Sequence, residues 1–208
     1  VPEVRRAYGV THGKIGEERG HTVLGMFGVS QVPGCSGGEP QQMKSNTQAI
    51  QVRGDASVLE HPLTALFCSK QCPGNLILET FDLVRALRDE GVLFISGFHS
   101  PMEKDCLKIL LRSPHPVVWC LARGMLKNIP AELRPAIDDG RLVMVSPFPD
   151  TVLRPTAEMA QQRNRVVATL AKSVIVPYAA PDNTLEPLCL EMLSKGKPVF
   201  TFDDEENR

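Results

Sequence analysis

From residue 62 onward, short unbroken apolar runs alternate with longer stretches in which apolar residues recur every three or four positions. The runs are LTALFCS (63–69), VLFISG (92–97), PVVWCLA (116–122), LVMVSPF (142–148), VIVPYAA (174–180) and PVFTF (198–202). Each has the length of a strand, and none alternates polar with apolar, so both faces of each strand must be covered. The first intervening stretch places Ile77, Phe81 and Val84 on one stripe, with Asn75 as its expected N-cap and Gly91 as its stop. The second opens with Ser100 and Glu103 at capping-box spacing and Pro101 at the first helical position. Further helices are expected around 130–138, 157–171 and 184–195. Six strands alternating with five helices predict an α/β fold: a doubly wound, mainly parallel six-stranded sheet with helices on both faces. Residues 1–60 read differently. GVSQVPGCSGGEPQQMKSNTQ (28–48) has no period to bury, so this segment is expected to be an N-terminal extension, separate from a domain at 61–208. It is either a flexible tail or a small appendage packed through Val23, Leu24, Met26 and Phe27.

In a doubly wound sheet, ligands bind beyond the carboxyl ends of the strands. That rule selects the loops at 69–75, 96–101, 121–129 and 179–184. The first carries Ser69, Lys70 and Gly74, and the second carries Ser96, Gly97 and His99. Each leads into a helix start, whose unpaired N–H groups favour an anion. Neither GxGxxG nor GxxxxGK[ST] is present, so the pattern points neither to a standard dinucleotide fold nor to a P-loop enzyme. His99 reads either as a general base or as a loop histidine bonded to backbone, and no partner carboxylate is identifiable for the first role. Arg123 reads as a further pocket cation or as a surface arginine, and Trp119 as core or as a stacking platform. The remaining motif is Arg163-Asn164-Arg165, two guanidinium groups at the approach to the run at 174–180. They form a solvated helix face or await an anion.

Composition narrows these readings. A net charge of −1 gives no global positive field, so any anion site must be local. Aromatics at 5% are too few for a surface built mainly on stacked rings. No apolar run reaches the length of a membrane span, and the first residues lack a signal-peptide core, so no membrane association is expected. The six cysteines include no C-x-x-C pair, and four of them fall in apolar patterns. Buried free thiols in a reducing cytoplasm are expected, with no metal.

Residues 62–202 resemble the Rossmann-like domain of the DNA-processing protein A (DprA/Smf) family. That family has Gly-Ser-Arg after the first strand, Ser-Gly-x-Ala-Arg-Gly-x-Asp after the second and Arg-Asn-Arg before the fifth. Here the corresponding residues are Cys68-Ser69-Lys70, the stretch from Ser96 to Glu103, and Arg163-Asn164-Arg165. Lysine thus replaces one arginine, and the Ala-Arg-Gly cation gives way to His99-Ser100-Pro101. The resemblance implies non-catalytic binding of single-stranded DNA in uptake, transformation or recombination, and transfer of the strand to a recombinase. It implies no cofactor, a cytoplasmic location and a homodimer as one assembly. The implied phosphate-binding residues are Ser69, Lys70, Ser96, Gly97, Arg163, Asn164 and Arg165.

A second resemblance gives the alternative. NTLEPLCLEMLSKGKPV (183–199) is similar to the Gly-Thr-x-x-Glu helix of the "lonely guy" phosphoribohydrolases. It implies nucleotide binding or hydrolysis of a nucleoside monophosphate, with Thr184 at the phosphate and Glu186 as the carboxylate, and His99 and Arg123 nearby. A plain helix start capped by Thr184, with Glu186 complementing the dipole, accounts for the same residues.

Overall fold

The computed structural model describes the backbone of residues 29–32 and residues 50–207 apart from 182. The sites of the expected tail and of its packing residues, at 1–28 and 33–49, lie outside the described residues. All six expected strands form: β3 (Leu63–Leu66), β4 (Leu93–Ser96), β5 (Val117–Cys120), β6 (Leu142–Ser146), β7 (Ser173–Ile175) and β8 (Val199–Phe202). They are parallel to one another, in spatial order β8-β7-β3-β4-β5-β6. Two short strands ahead of residue 61 extend the sheet antiparallel at its edges. β1 (Val29–Val32) pairs with β8, and β2 (Gln51–Arg53) pairs with β6.

The sheet has helices on both faces, and the alternation of side chains along each strand divides the core in two. On one face α1 (Gly74–Asp89), α2 (Pro101–Leu110) and the short α3 (Arg134–Asp138) cover Leu66, Phe94, Val117 and Leu142. On the other, α4 (Ala157–Leu170) and α5 (Leu185–Ser194) cover Ala65, Ile95, Val118 and Val143. All eight of these strand residues are almost wholly buried, as a doubly covered sheet requires. Cys68, Cys106, Cys120 and Cys189 are buried free thiols, and Cys72 is partly buried.

Two expected caps differ. α1 begins at Gly74 with Pro73 as its N-cap, and Asn75 lies inside the helix with its amide on Asp204. Pro73 supplies no side-chain cap, but its carbonyl accepts the Ile77 N–H at 3.0 Å. Thr184 occupies the N-cap position of α5 without a side-chain hydrogen bond, and Asn183 Oδ1 accepts the Leu185 N–H instead, at 2.7 Å. No described helix is long and apolar enough to cross a membrane.

The chain runs outward from β3 through β4, β5 and β6, then returns to β7 on the other side of β3 and continues to β8. The strand order therefore reverses between β3 and β7, and the crevice expected of this topology lies at their carboxyl ends.

Candidate nucleic-acid interface

Ser69 closes that crevice. It is buried, its N–H donates to the Tyr178 carbonyl at 3.1 Å, and its Oγ accepts the Ala180 N–H at 2.8 Å and the Asn183 side-chain amide. The loops after β3 and β7 are thereby tied together. Ser96 does the same one strand over: its Oγ donates to the Leu66 carbonyl at 2.6 Å and accepts the Phe98 N–H at 3.2 Å. Phe98 is held at φ 44, a left-handed conformation that a bulky residue adopts only when its surroundings impose it.

Glu103 joins these two loops. From the first turn of α2 its Oε1 accepts the Cys68 N–H at 2.9 Å, and Oε2 accepts the N–H groups of His99 at 2.7 Å and Ser100 at 3.4 Å. Ser100 Oγ in turn accepts the Glu103 N–H, completing the expected capping box. The carboxylate is almost wholly buried. Burial pushes its pKa up, opposed by the three N–H donors and by the charge of Arg163.

Arg163 is only 4% exposed. From α4 it reaches under the loop after β4, donating from Nη1 to the Cys120 carbonyl at 3.1 Å and from Nε to Asn164 Oδ1 at 2.7 Å. Its guanidinium fills the space beside Gly97: a Cβ there would lie 1.6 Å from Nη1 and 1.9 Å from Cζ. The Gly97 carbonyl is also engaged, accepting the Trp119 indole N–H at 3.0 Å. Burial lowers the Arg163 pKa, against the favourable charge of Glu103.

Arg165 is not brought to this cluster. It is exposed and pairs with Glu191 at 3.2 Å, on the surface between α4 and α5, where Lys195 also meets Glu191 at 2.6 Å. Around the carboxyl ends of β3 and β4, Lys70, His99 and Lys104 are exposed. The His99 pKa is lowered first by burial and then by the positive charges of Arg163, Lys70 and Lys104, so cations surround this imidazole. Arg123 lies in the loop after β5, partly buried. Thr184 and Glu186 stand at the start of α5, beyond the Ser69–Asn183 contact. A depression of about 390 Å³ between His61, Gly91 and Lys172, at the opposite end of the strands, receives none of these residues.

Residues 39–201 match the family model of DNA recombination-mediator protein A. The chain belongs to that family. Its fold is similar to that of DNA processing protein A from Helicobacter pylori, for which a unique single-stranded DNA binding mode is described. The two share 18% identity at a TM-score of 0.63, over 82% of this chain and 79% of that one. DNA processing protein A (DprA) from Streptococcus pneumoniae is similar at a TM-score of 0.61 and 18% identity, over 72% of this chain and 53% of that one. This chain thus spans only about half of the streptococcal protein. No curated protein matches it. Within the DprA family frame, the motif positions after β3 and β4 do converge on one edge of the sheet. Three contributors were not read in these roles. Glu103 was legible as a cap and as the end of the family-like stretch from Ser96, Asn183 only as the first residue of the run likened to the phosphoribohydrolase helix, and Lys104 carried no motif.

Proposed function

We propose that this chain binds single-stranded DNA without catalysing a reaction, at the carboxyl ends of β3 and β4. The observation that carries the reading is the pair of exposed lysines, Lys70 and Lys104, flanking the exposed imidazole of His99 over loops that buried Glu103 and Arg163 hold in place. A flexible polyanion is met best by cations on a backbone that need not reorganise. Lys70 is the first-ranked phosphate contact. Ser69, Ser96, Gly97, Arg163 and Asn164 shape the surface beneath it, whereas Arg165 stands apart, paired with Glu191. The family points to a role in DNA uptake, transformation or recombination in the cytoplasm, with transfer of the strand to a recombinase and a homodimer as the acting form.

The test is fluorescence anisotropy of labelled oligothymidylate across a salt series. Lys70→Ala is expected to weaken binding and to flatten the slope of log K against log salt by about 0.7, one single-strand phosphate contact. A protein that ignores the oligonucleotide, and is instead stabilised against heat by a nucleoside monophosphate, would overturn the reading in favour of nucleotide binding at Thr184 and Glu186. Release of free base, lost in Glu186→Gln, would identify hydrolysis.

A further inference from the structure

The loop after β5 carries an arginine whose guanidinium Nε the fold leaves unsatisfied. Arg123 Nε is buried without a hydrogen-bond partner. An arginine presents five donors and no acceptor, and a buried donor left unmade is costly unless something else satisfies it. The loop that holds it is tightly anchored. Ser146 Oγ donates to the Arg123 carbonyl at 2.6 Å, and the Gly124 N–H donates to the Val152 carbonyl at 2.8 Å. A Cβ on Gly124 would lie 2.5 Å from the Pro149 carbonyl oxygen. The backbone is fixed, so the side chain is not left over from a loose turn. On the facing loop, Asp150 Oδ1 accepts the Met125 N–H at 3.2 Å. Arg53, reaching over from β2, donates to the Leu126 carbonyl at 2.8 Å and adds a second cation to the same loop.

We propose that Arg123 receives a phosphate group, as a second anion subsite beside the Lys70 and His99 cluster. β5 lies next to β4, which lies next to β3. Two inter-strand steps place the loops after β3 and β5 roughly 10 Å apart along the same sheet edge. A strand held at Lys70 therefore reaches Arg123 by continuing across the ends of β4 and β5. The inference rests on the single-stranded DNA reading and gives that strand a direction over the sheet. A nucleoside monophosphate offers the same phosphate chemistry but only one phosphate for two subsites.

The experiment compares the native protein with Arg123→Met and Lys70→Ala, using labelled oligothymidylate and thymidine 5′-monophosphate as probes. Arg123→Met is expected to weaken oligothymidylate binding roughly tenfold, the scale of one hydrogen bond to a charged group, and to flatten the salt slope by about 0.7. Its melting temperature without DNA is expected to equal or exceed the native value, because the orphaned donor is gone. Normal affinity and slope in Arg123→Met, with Lys70→Ala weakened, would overturn the second subsite and leave the first intact. No effect from either variant would overturn the single-stranded DNA reading itself. Two other results also reject the assignment. A lowered melting temperature in Arg123→Met would make the guanidinium structural, and loss of mononucleotide binding with oligothymidylate binding unchanged would make it a nucleotide site.

Discussion

Arg163 and Arg165 are two positions apart in a motif and on different sides of a helix. Successive helical residues turn about 100°, so positions two apart point about 200° from each other. Arg163 accordingly enters the protein beneath Gly97, and Arg165 meets Glu191 on the surface. The motif was legible in the sequence, and so was its helical phase, but the burial of the first guanidinium depended on contacts made across the sheet. Arg163→Ala is expected to cost about 3 kcal/mol in urea unfolding, since it removes one charge from a buried network and leaves Glu103 less compensated. Gly97→Ala should cost about 1–3 kcal/mol by overpacking against the same guanidinium. Arg165→Ala should stay within about 0.5 kcal/mol of native, as an exposed pair does. Loss of stability in Arg165→Ala equal to that in Arg163→Ala would contradict this division. His99 adds a pH dependence. Its pKa is depressed below 6.5 by burial and by Arg163, Lys70 and Lys104, while its backbone N–H is held by Glu103. The free protein therefore keeps the associated stability above pH 6.5 and loses it as pH falls through the folded value. A phosphate brought against the imidazole favours the protonated form, so oligothymidylate should bind more tightly as pH drops below 6.5. His99→Gln should flatten that part of the profile, and an unchanged profile would place the strand away from His99.

The loops of the candidate site hold their shape because one helix start serves two strands. The Ser-x-x-Glu spacing announced the N-terminus of α2, and the structure forms that capping box as expected. What the spacing could not announce is that the same carboxylate reaches across to the Cys68 N–H at the end of β3. Thirty-five positions separate these residues in the chain, and the contact exists only because β3 and β4 are neighbours in the sheet. Asn75 failed as a cap because Pro73 caps α1 two positions earlier, through backbone bonding alone. The two roles of the capping box can be separated by substitution. Ser100→Ala removes only the cap and is expected to cost about 1 kcal/mol. Glu103→Ala also strips the acceptor from N–H groups on both loops, so it should cost at least about 2 kcal/mol. It should weaken oligothymidylate binding as well, although residue 103 is buried and does not face solvent. Equal effects from both variants on melting and binding would mean that the bridge to Cys68 contributes nothing.

Across the whole molecule, the six parallel strands were readable because each is apolar on both faces over four or more positions, a pattern local to the sequence. The edge strands were not readable. VSQV and QVR are too short for their patterns to mark a strand, so their conformation is set by the open edges of β8 and β6 rather than by their own residues. Their position has a physical consequence. Without β1, the β8 backbone from Val199 to Phe202 would present unpaired N–H and C=O groups along an apolar strand, which is a template for pairing with another chain. Val199, Phe200 and Phe202 are buried, and a newly exposed edge would bring such residues close to the surface. A variant lacking residues 1–49 removes β1 and keeps β2 together with the loops around Lys70, His99 and Arg123. It is expected to fold, and at low concentration to bind oligothymidylate with the affinity and salt slope of the full chain. Its self-association should rise with concentration, seen as larger species in size-exclusion chromatography with light scattering. Adding a charge within the exposed edge, by Thr201→Lys in the truncated chain, should return it toward the smaller species, because charged residues on an edge oppose strand pairing. Thr201 is only partly buried, so this substitution leaves the three apolar residues of β8 in the core. A truncated chain that stays as monodisperse as the full one would show that β1 is dispensable for covering this edge.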